Sequence, residues 1–220
     1  VKLIKNSEYN TRNNHSSIYV ARDYINNSYI CSSDNYFTEN PFETSVDSGY
    51  YSALYSEGKT DEWCLKTDEK GIITDIKIGG ENSWYMLGHT FWDSNFSKDF
   101  LDILNREYFN ERTKSMLWES IYMEHLDILK LKIKKYSPNF IFEFDNIDEL
   151  RAFDSSYIYN SNSKILRNIS ETMHKDEKSF FNFQALKGIY ENNAIGFTFQ
   201  CENKKYEYIY ETKKLSLVNY

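Results

Sequence analysis

The sequence holds no glycine-rich loop followed by basic residues, so no phosphate-cradling segment of that kind is legible in it. Its adjacent glycines, Gly79-Gly80, lie in a polar stretch and read as a turn. Cysteine is scarce. Cys31, Cys64 and Cys201 are widely spaced and odd in number, which excludes a disulfide framework or a zinc pattern. The histidines His15, His89, His125 and His174 are scattered without metal-ligand spacing and read as surface or hydrogen-bonded residues. Of the two prolines, Pro41 marks a loop and Pro138 ends a strand. There is no apolar run of about 18 residues and no signal-like segment, which predicts a soluble, cytoplasmic chain without membrane insertion. Basic residues are the minority, with a formal net charge of −7, and this argues against a general nucleic-acid or membrane-surface binder. An initiator Met is missing as well: the chain opens on Val1-Lys2-Leu3-Ile4, which reads as a strand in mid-fold. The expectation is a fragment, or a chain whose beginning has been lost.

Aromatic residues are plentiful. Nineteen Tyr, 15 Phe and 4 Trp in 220 residues supply apolar surface for a sizeable core, and the length suits one domain or a domain and a fragment. Two stretches carry the chemistry. The first, Ser28-Tyr29-Ile30-Cys31-Ser32-Ser33-Asp34-Asn35, reads as a short buried strand over 29–32 that ends in an acidic residue. Ligands of open α/β sheets collect at the carboxyl ends of strands, so Asp34 is placed to hold a metal ion or a polar substrate, or else to cap a turn. The second, Phe140-Ile141-Phe142-Glu143-Phe144-Asp145, puts Glu143 and Asp145 two residues apart and therefore on one strand face. Asn146 with Glu149 then reads as a capping-box-like helix start, followed by Leu150 and Phe153 on one helical face. If the two strand ends are neighbours, Asp34 and Asp145 form a two-carboxylate Mg²⁺ site of the kind used in phosphoryl and nucleotidyl chemistry.

These residues belong to a longer ordered series. It runs from Tyr9-Asn10-Thr11-Arg12-Asn13-Asn14-His15 through Ile18-Tyr19-Val20-Ala21-Arg22 to Tyr29-Ile30-Cys31-Ser32-Ser33-Asp34-Asn35-Tyr36. It continues through Asp61-Glu62-Trp63, Gly88-His89-Thr90-Phe91-Trp92-Asp93, Leu117-Trp118-Glu119 and Phe142-Glu143-Phe144-Asp145. The series resembles the central part of bacterial choline-phosphate cytidylyltransferases, of the sugar-nucleotidyltransferase superfamily, over roughly residues 1–153. The resemblance implies a phosphate loop ahead of Val1, CTP and phosphocholine as substrates, and Mg²⁺ as cofactor. It raises Trp63 and Trp118 as walls of a site for a quaternary ammonium, which aromatic faces and carboxylates hold through cation–π and Coulomb attraction. Tyr85 and Trp92 are further candidates, Glu143 would face the cation, and Asn35 would support Asp34 or the nucleotide. Each Trp could equally be core packing.

The fold class expected is α/β: a mainly parallel, Rossmann-like nucleotidyltransferase sheet with an antiparallel insertion, plus a small α+β C-terminal tail. Strands are expected at 1–4, 29–32, 50–55, 62–66, 72–78, 86–92, 131–136 and 140–145, with Asp68-Glu69-Lys70-Gly71 as a hairpin turn. Helices are expected at 16–25, after a cap at Ser97, and from Thr113. Residues 1–156 form the nucleotidyltransferase domain in this reading and the Ser- and Asn-rich 157–164 a linker. Residues 165–220 then hold a helix at 165–174 and strands at 181–186, 194–200 and 205–210. This tail, with Gly188 between two strands, weakly resembles the start of choline-kinase-like phosphotransferases. Two other readings stay open: another acceptor, such as aminoethylphosphonate, phosphoethanolamine or a sugar phosphate; and a non-catalytic binding module, favoured if the natural chain begins at Val1.

Overall fold

A computed structural model describes residues 1–187 and 194–218, which divide into two compact units, Val1–Glu143 and Phe144–Tyr220. The first unit begins without the expected strand. Residues 1–4 are irregular, with Val1 and Leu3 exposed, because a β-prone run needs a partner ladder and has none there among the described residues. Helix α1 (His15–Ala21) follows the Asn-rich turn and buries His15, Ser16 and Ile18. Next come β1 (Ser28–Cys31), β2 (Asn35–Phe37), β3 (Tyr50–Thr67) and β4 (Ile73–Trp92). The short strands expected between residues 50 and 92 are thus two long ones. The ribbon they form bends back on itself, so that Cys64 pairs with both Lys77 and Tyr85. Gly58 and Gly79, at φ 82° and 77°, supply left-handed backbone at the bend. The hairpin turn lies at the expected residues, with the Asp68 carboxylate accepting the N–H groups of Lys70 and Ile72.

Helix α2 (Ser94–Glu107) is capped by Asp93, whose Oδ1 accepts the Phe96 N–H at 2.9 Å, and not by Ser97, which is buried inside the helix. After it come α3 (Trp118–Glu124), β5 (Lys132–Lys135) and β6 (Ile141–Glu143). The architecture is α/β with a mixed sheet, order β1-β4-β3-β5, in which β3 and β5 are parallel and the other pairs antiparallel. β2 and β6 form a separate antiparallel pair with Asn35 opposite Glu143. Alternation along β4 sorts its side chains. Met86 and Trp92 join the main core with Phe96, Phe100, Trp118, Ile121 and Tyr122, whereas Leu87 packs with Leu54 and Ile141.

His89 lies between these strands at 0% exposure, its Nδ1 2.6 Å from the Ser52 hydroxyl and its ring against Tyr29, Phe37 and Phe42. Burial, and secondarily the charge of Lys134, pushes the imidazole down to about 4. The unfolded chain takes up a proton near pH 6.5 that the folded chain refuses. Stability is therefore complete above pH 6.5 and falls as pH drops from 6.5 toward 4, by roughly 3 kcal/mol. Urea midpoints at pH 7.5 and 4.5 should show this loss, and a His89→Gln variant should lack it.

The second unit starts earlier than the expected linker. Its helix α4 (Ile147–Phe153) is capped as the sequence implies: Asn146 Oδ1 accepts the N–H groups of Asp148 and Glu149, and Glu149 reaches back to the Asp145 N–H at 2.7 Å. Helix α5 (Lys164–Met173) precedes β7 (Phe181–Lys187), β8 (Ala194–Cys201), β9 (Lys204–Ile209) and β10 (Lys214–Leu217). These four strands form an antiparallel sheet, order β10-β9-β8-β7, over a core of Leu166, Ile169, Phe180, Phe183 and Phe199. β10 had no counterpart in the sequence reading. The kinase-like glycine turn, Gly188 to Asn193, lies outside the described residues. No helix among the described residues is long and apolar enough to cross a membrane.

Candidate functional site

A cavity of about 430 Å³ in the first unit is lined by residues of α1, the β1–β2 turn, β4 and α3. Asp34 opens onto it from the turn, with Ser32 and Ser33 beside it. The Ser32 N–H donates to Gly88 O at 2.6 Å, which draws the turn against β4. Gly88 leaves the room for this: a Cβ there would stand 2.3 Å from Ser32 Oγ and 3.0 Å from Asn35 Oδ1. Asn35 is half-buried, and its side-chain oxygen and nitrogen are both buried without a hydrogen-bond partner. Asp34 itself is exposed.

The opposite wall is built by the Asn-rich segment. Asn13 donates to Ser115 O, and His15 Nδ1 lies 2.7 Å from Met116 O, which ties α1 to the approach to α3. Asn14 then clamps the first turn of α3. Its Oδ1 accepts the Trp118 N–H at 2.8 Å and its Nδ2 donates to Glu119 Oε2 at 3.0 Å. Trp118 lines the cavity with only 4% of its surface exposed, stacked on Tyr51 at 5.7 Å between centroids. The second Glu119 oxygen lies 3.5 Å from the Tyr51 hydroxyl. Burial pushes the Glu119 carboxyl up to about 7, against the lowering hydrogen bonds from Asn14, its own backbone N–H and Tyr51.

The structure places the sequence candidates differently. Asp34 and Trp118 share this cavity. Tyr85 and Glu143 lie close by electrostatically: burial first, then Glu62 and Glu143, push the Tyr85 phenol up, and Glu143 acts with Glu119 on Tyr51 in the same direction. Trp63 is half-buried on β3 opposite Ile78 and packs against the main core. Trp92 is different, with no exposed surface and rings of Phe96, Phe100 and Trp118 within 5.0 Å of its own, so neither face is left for a ligand. Its place is core packing behind Trp118. Asp145 belongs to the second unit, where it lines a cavity of about 300 Å³ with Ile165, Phe183, Phe197 and Tyr210.

Asn14, Tyr51, Gly88 and Glu119 were missed as site residues. Asn14 reads as one of several turn residues, and Glu119 is legible only as the carboxylate next to Trp118. What distinguishes them is tertiary: the clamp between α1 and α3 joins residues more than 100 positions apart.

No protein-family model matches the chain. Among curated proteins it is 24% identical over 154 residues to choline-phosphate cytidylyltransferase of Streptococcus pneumoniae, covering 70% of this chain and 67% of that protein. It is 29% identical over 162 residues to 2-aminoethylphosphonate cytidylyltransferase of Lancefieldella rimae, covering 72% and 66%. It is 27% identical over 150 residues to choline-phosphate cytidylyltransferase of Haemophilus influenzae, covering 67% and 64%. Among solved structures, CTP:phosphocholine cytidylyltransferase (LicC) from Streptococcus pneumoniae shares the fold, with a TM-score of 0.66 at 24% identity over 71% of this chain and 68% of that one. The chain spans about two thirds of the length of the curated relatives it matches. Those relatives are enzymes, all of them cytidylyltransferases.

Proposed function

We propose that this chain is part of a Mg²⁺-dependent cytidylyltransferase that transfers CMP from CTP to phosphocholine, giving CDP-choline and pyrophosphate. The observation that carries the reading is one cavity with a strand-turn carboxylate, Asp34, on one side and an indole with a carboxyl, Trp118 and Glu119, on the other. A cationic headgroup needs the aromatic and acidic wall, and an anionic phosphate end would meet the Asp34 side through a divalent cation held there.

The reacting phosphate oxygen is already a competent nucleophile toward the α-phosphorus of CTP, so no protein base is required. The chain must position two anions whose repulsion costs several kcal/mol in a partly desolvated site. The residues in the first unit fit a hard divalent cation: Asp34 offers carboxylate oxygens, and beside it the buried Asn35 amide lacks a partner. Mg²⁺ held there supplies neutralisation of the phosphate charge. Trp118 stacked on Tyr51, with Glu119 and Glu143 near the phenol, orients the headgroup. Asn14 holds the Trp118–Glu119 turn against the cavity.

A second reading, 2-aminoethylphosphonate as acceptor, is favoured by the Lancefieldella rimae relative and by the carboxylates Glu62, Glu119 and Glu143. A primary ammonium can donate hydrogen bonds to carboxylates, and a quaternary one cannot. Pyrophosphate release from CTP, compared for phosphocholine, phosphoethanolamine and 2-aminoethylphosphonate, decides between them. Preference for phosphocholine by tenfold or more in kcat/KM is the expected result; preference of that size for a primary amine would reassign the acceptor. Turnover with none of the three would overturn the proposal.

A further inference from the structure

Two helices of the first unit end side by side. Glu107 is the last residue of α2 and Glu124 the last of α3, with His125 directly after it. A carboxylate oxygen from each Glu and an imidazole nitrogen of His125 all lie within 4.8 Å of one another. Glu107 Oε1 and His125 Nε2 are 3.2 Å apart. Ligand atoms about 2.1 Å from a tetrahedral ion stand about 3.4 Å from each other, so this pair already has the separation of neighbours in one coordination shell. A hydrogen bond could have the same length, and the rest of the Glu107 carboxylate separates the two readings. Its Oε2 is buried and accepts no hydrogen bond among the described residues. Arg112 Nη2 stands 3.7 Å from it, beyond hydrogen-bond reach, while Nη1 is 2.8 Å from Glu124 Oε1. One guanidinium thus faces two carboxylates, and one desolvated oxygen is left without a donor. The backbones that carry the set are held firmly: α2 buries Ile103 and Leu104, and α3 buries Ile121 and Tyr122, in one core. The Glu107 carbonyl accepts the Asn110 N–H, and the His125 carbonyl accepts those of Ile128 and Leu129. The negative ends of both helix dipoles also meet here, which favours a cation.

We propose that Glu107, Glu124 and His125 bind a divalent transition-metal ion of the Zn²⁺ type, which ties the end of α2 to the end of α3, and that Arg112 is the counter-ion it displaces. One imidazole with two carboxylates is a donor set for such an ion. Mg²⁺ prefers oxygen ligands and retains its waters, so it gains little from the imidazole. The site therefore differs in chemistry from the Asp34 turn and does not rest on the function proposed above. Three protein ligands leave a further position to water. The Arg112 side chain is 62% exposed, and exposed ion pairs contribute little, so it can swing away at small cost. The first turn of α3 lines the Asp34 cavity, and an ion at its last turn would fix the helix on which that wall stands. Glu107 lies 17 positions ahead of Glu124 and on another helix, which is why the spacing of the histidines alone shows no metal pattern.

Zn²⁺ itself is the probe, titrated by calorimetry into the chelator-treated 220-residue chain with millimolar Mg²⁺ present to occupy oxygen-only sites. The expected result is one Zn²⁺ per chain, bound in the micromolar range or tighter. The imidazole NMR signals of His125 should move on addition of Zn²⁺, while those of His15, His89 and His174 stay in place. His125→Ala and Glu107→Gln should each weaken binding by about tenfold or more. Glu124→Gln should do the same, and because that side chain is 38% exposed and carries little packing, it keeps the test decisive if another variant misfolds. Arg112→Gln should tighten binding, since the competing cation is gone and both carboxylates remain. The unfolding midpoint read by indole fluorescence should rise with Zn²⁺ in the parent and stay unchanged in His125→Ala. Cys31 carries an exposed thiol, and Cys31→Ser should bind Zn²⁺ as the parent does. Absence of stoichiometric binding by the parent, binding unchanged in His125→Ala, or binding abolished in Cys31→Ser would overturn the proposal. Arg112→Gln binding more weakly than the parent would remove Arg112 as the displaced counter-ion.

Discussion

Replacing Asp34 by Ala should lower CTP-dependent pyrophosphate release by about 10³-fold or more while leaving the circular dichroism spectrum and the unfolding midpoint unchanged. The side chain is exposed, and the turn that carries it is held by other atoms, namely the Ser32 N–H on Gly88 O and the close approach that Gly88 permits. Removing an exposed carboxylate from such a turn takes away little packing, so a loss of turnover on this scale reports chemistry. The control is Gly88→Ala, whose Cβ would stand 2.7 Å from Ser32 Cβ as well as 2.3 Å from its Oγ. It should shift the turn and reduce turnover with Asp34 still present. Asp145→Ala is the companion experiment. Retained activity would set aside the Asp34–Asp145 pair expected from the sequence. Full activity of Asp34→Ala would overturn the metal assignment.

Arg151→Met should destabilise the second unit by roughly 3–5 kcal/mol, the cost of leaving buried polar groups without their charged donor. Arg151 is 8% exposed, and its guanidinium donates to Phe180 O at 2.6 Å and to Glu177 O and Tyr157 O at 3.2 Å each. It also lies over the Phe183 ring. One planar group therefore closes three carbonyls on two separate loops, a task that a lysine ammonium on a flexible stem does not reproduce. Arg151→Lys should recover less than half of the loss. All four tryptophans belong to the first unit, so indole fluorescence and amide exchange divide the readout. Exchange should speed up in β7, β8 and β9, while the fluorescence midpoint stays within experimental error of the parent. Unchanged protection in those strands would show that the three carbonyls find other donors.

The two compact units divide ahead of the Ser- and Asn-rich stretch. Residues 157–164 look like a linker because Ser and Asn are turn formers. The compact units divide at Glu143–Phe144, and α4 is fastened to the segments that follow it by Arg151, on the carbonyls of Tyr157, Glu177 and Phe180, and by Asp148, which accepts the Phe183 N–H of β7 at 2.7 Å. Composition sees the local preference of eight residues and cannot see that an arginine inside the preceding helix has two of its three carbonyl partners 26 and 29 positions on.

Local chemistry was legible from the sequence alone. The Asn146–Glu149 cap, the Asp68 turn, helices at α1 and α5, and strands at β5, β7, β8 and β9 all rest on neighbours within a few residues, where covalent spacing fixes what can meet. Tertiary structure decided the rest. It fused four expected strands into two and bent their ribbon back on itself. It put Trp92 and Trp118 in one core, of which Trp118 also lines the cavity and Trp92 has no exposed surface. It also brought Asn14 onto Glu119 across 105 residues, giving a carboxyl an environment that no window of sequence contains. The burial of an aromatic ring and the proton affinity of a carboxyl depend on what surrounds them in space, and those surroundings come from distant segments of the chain.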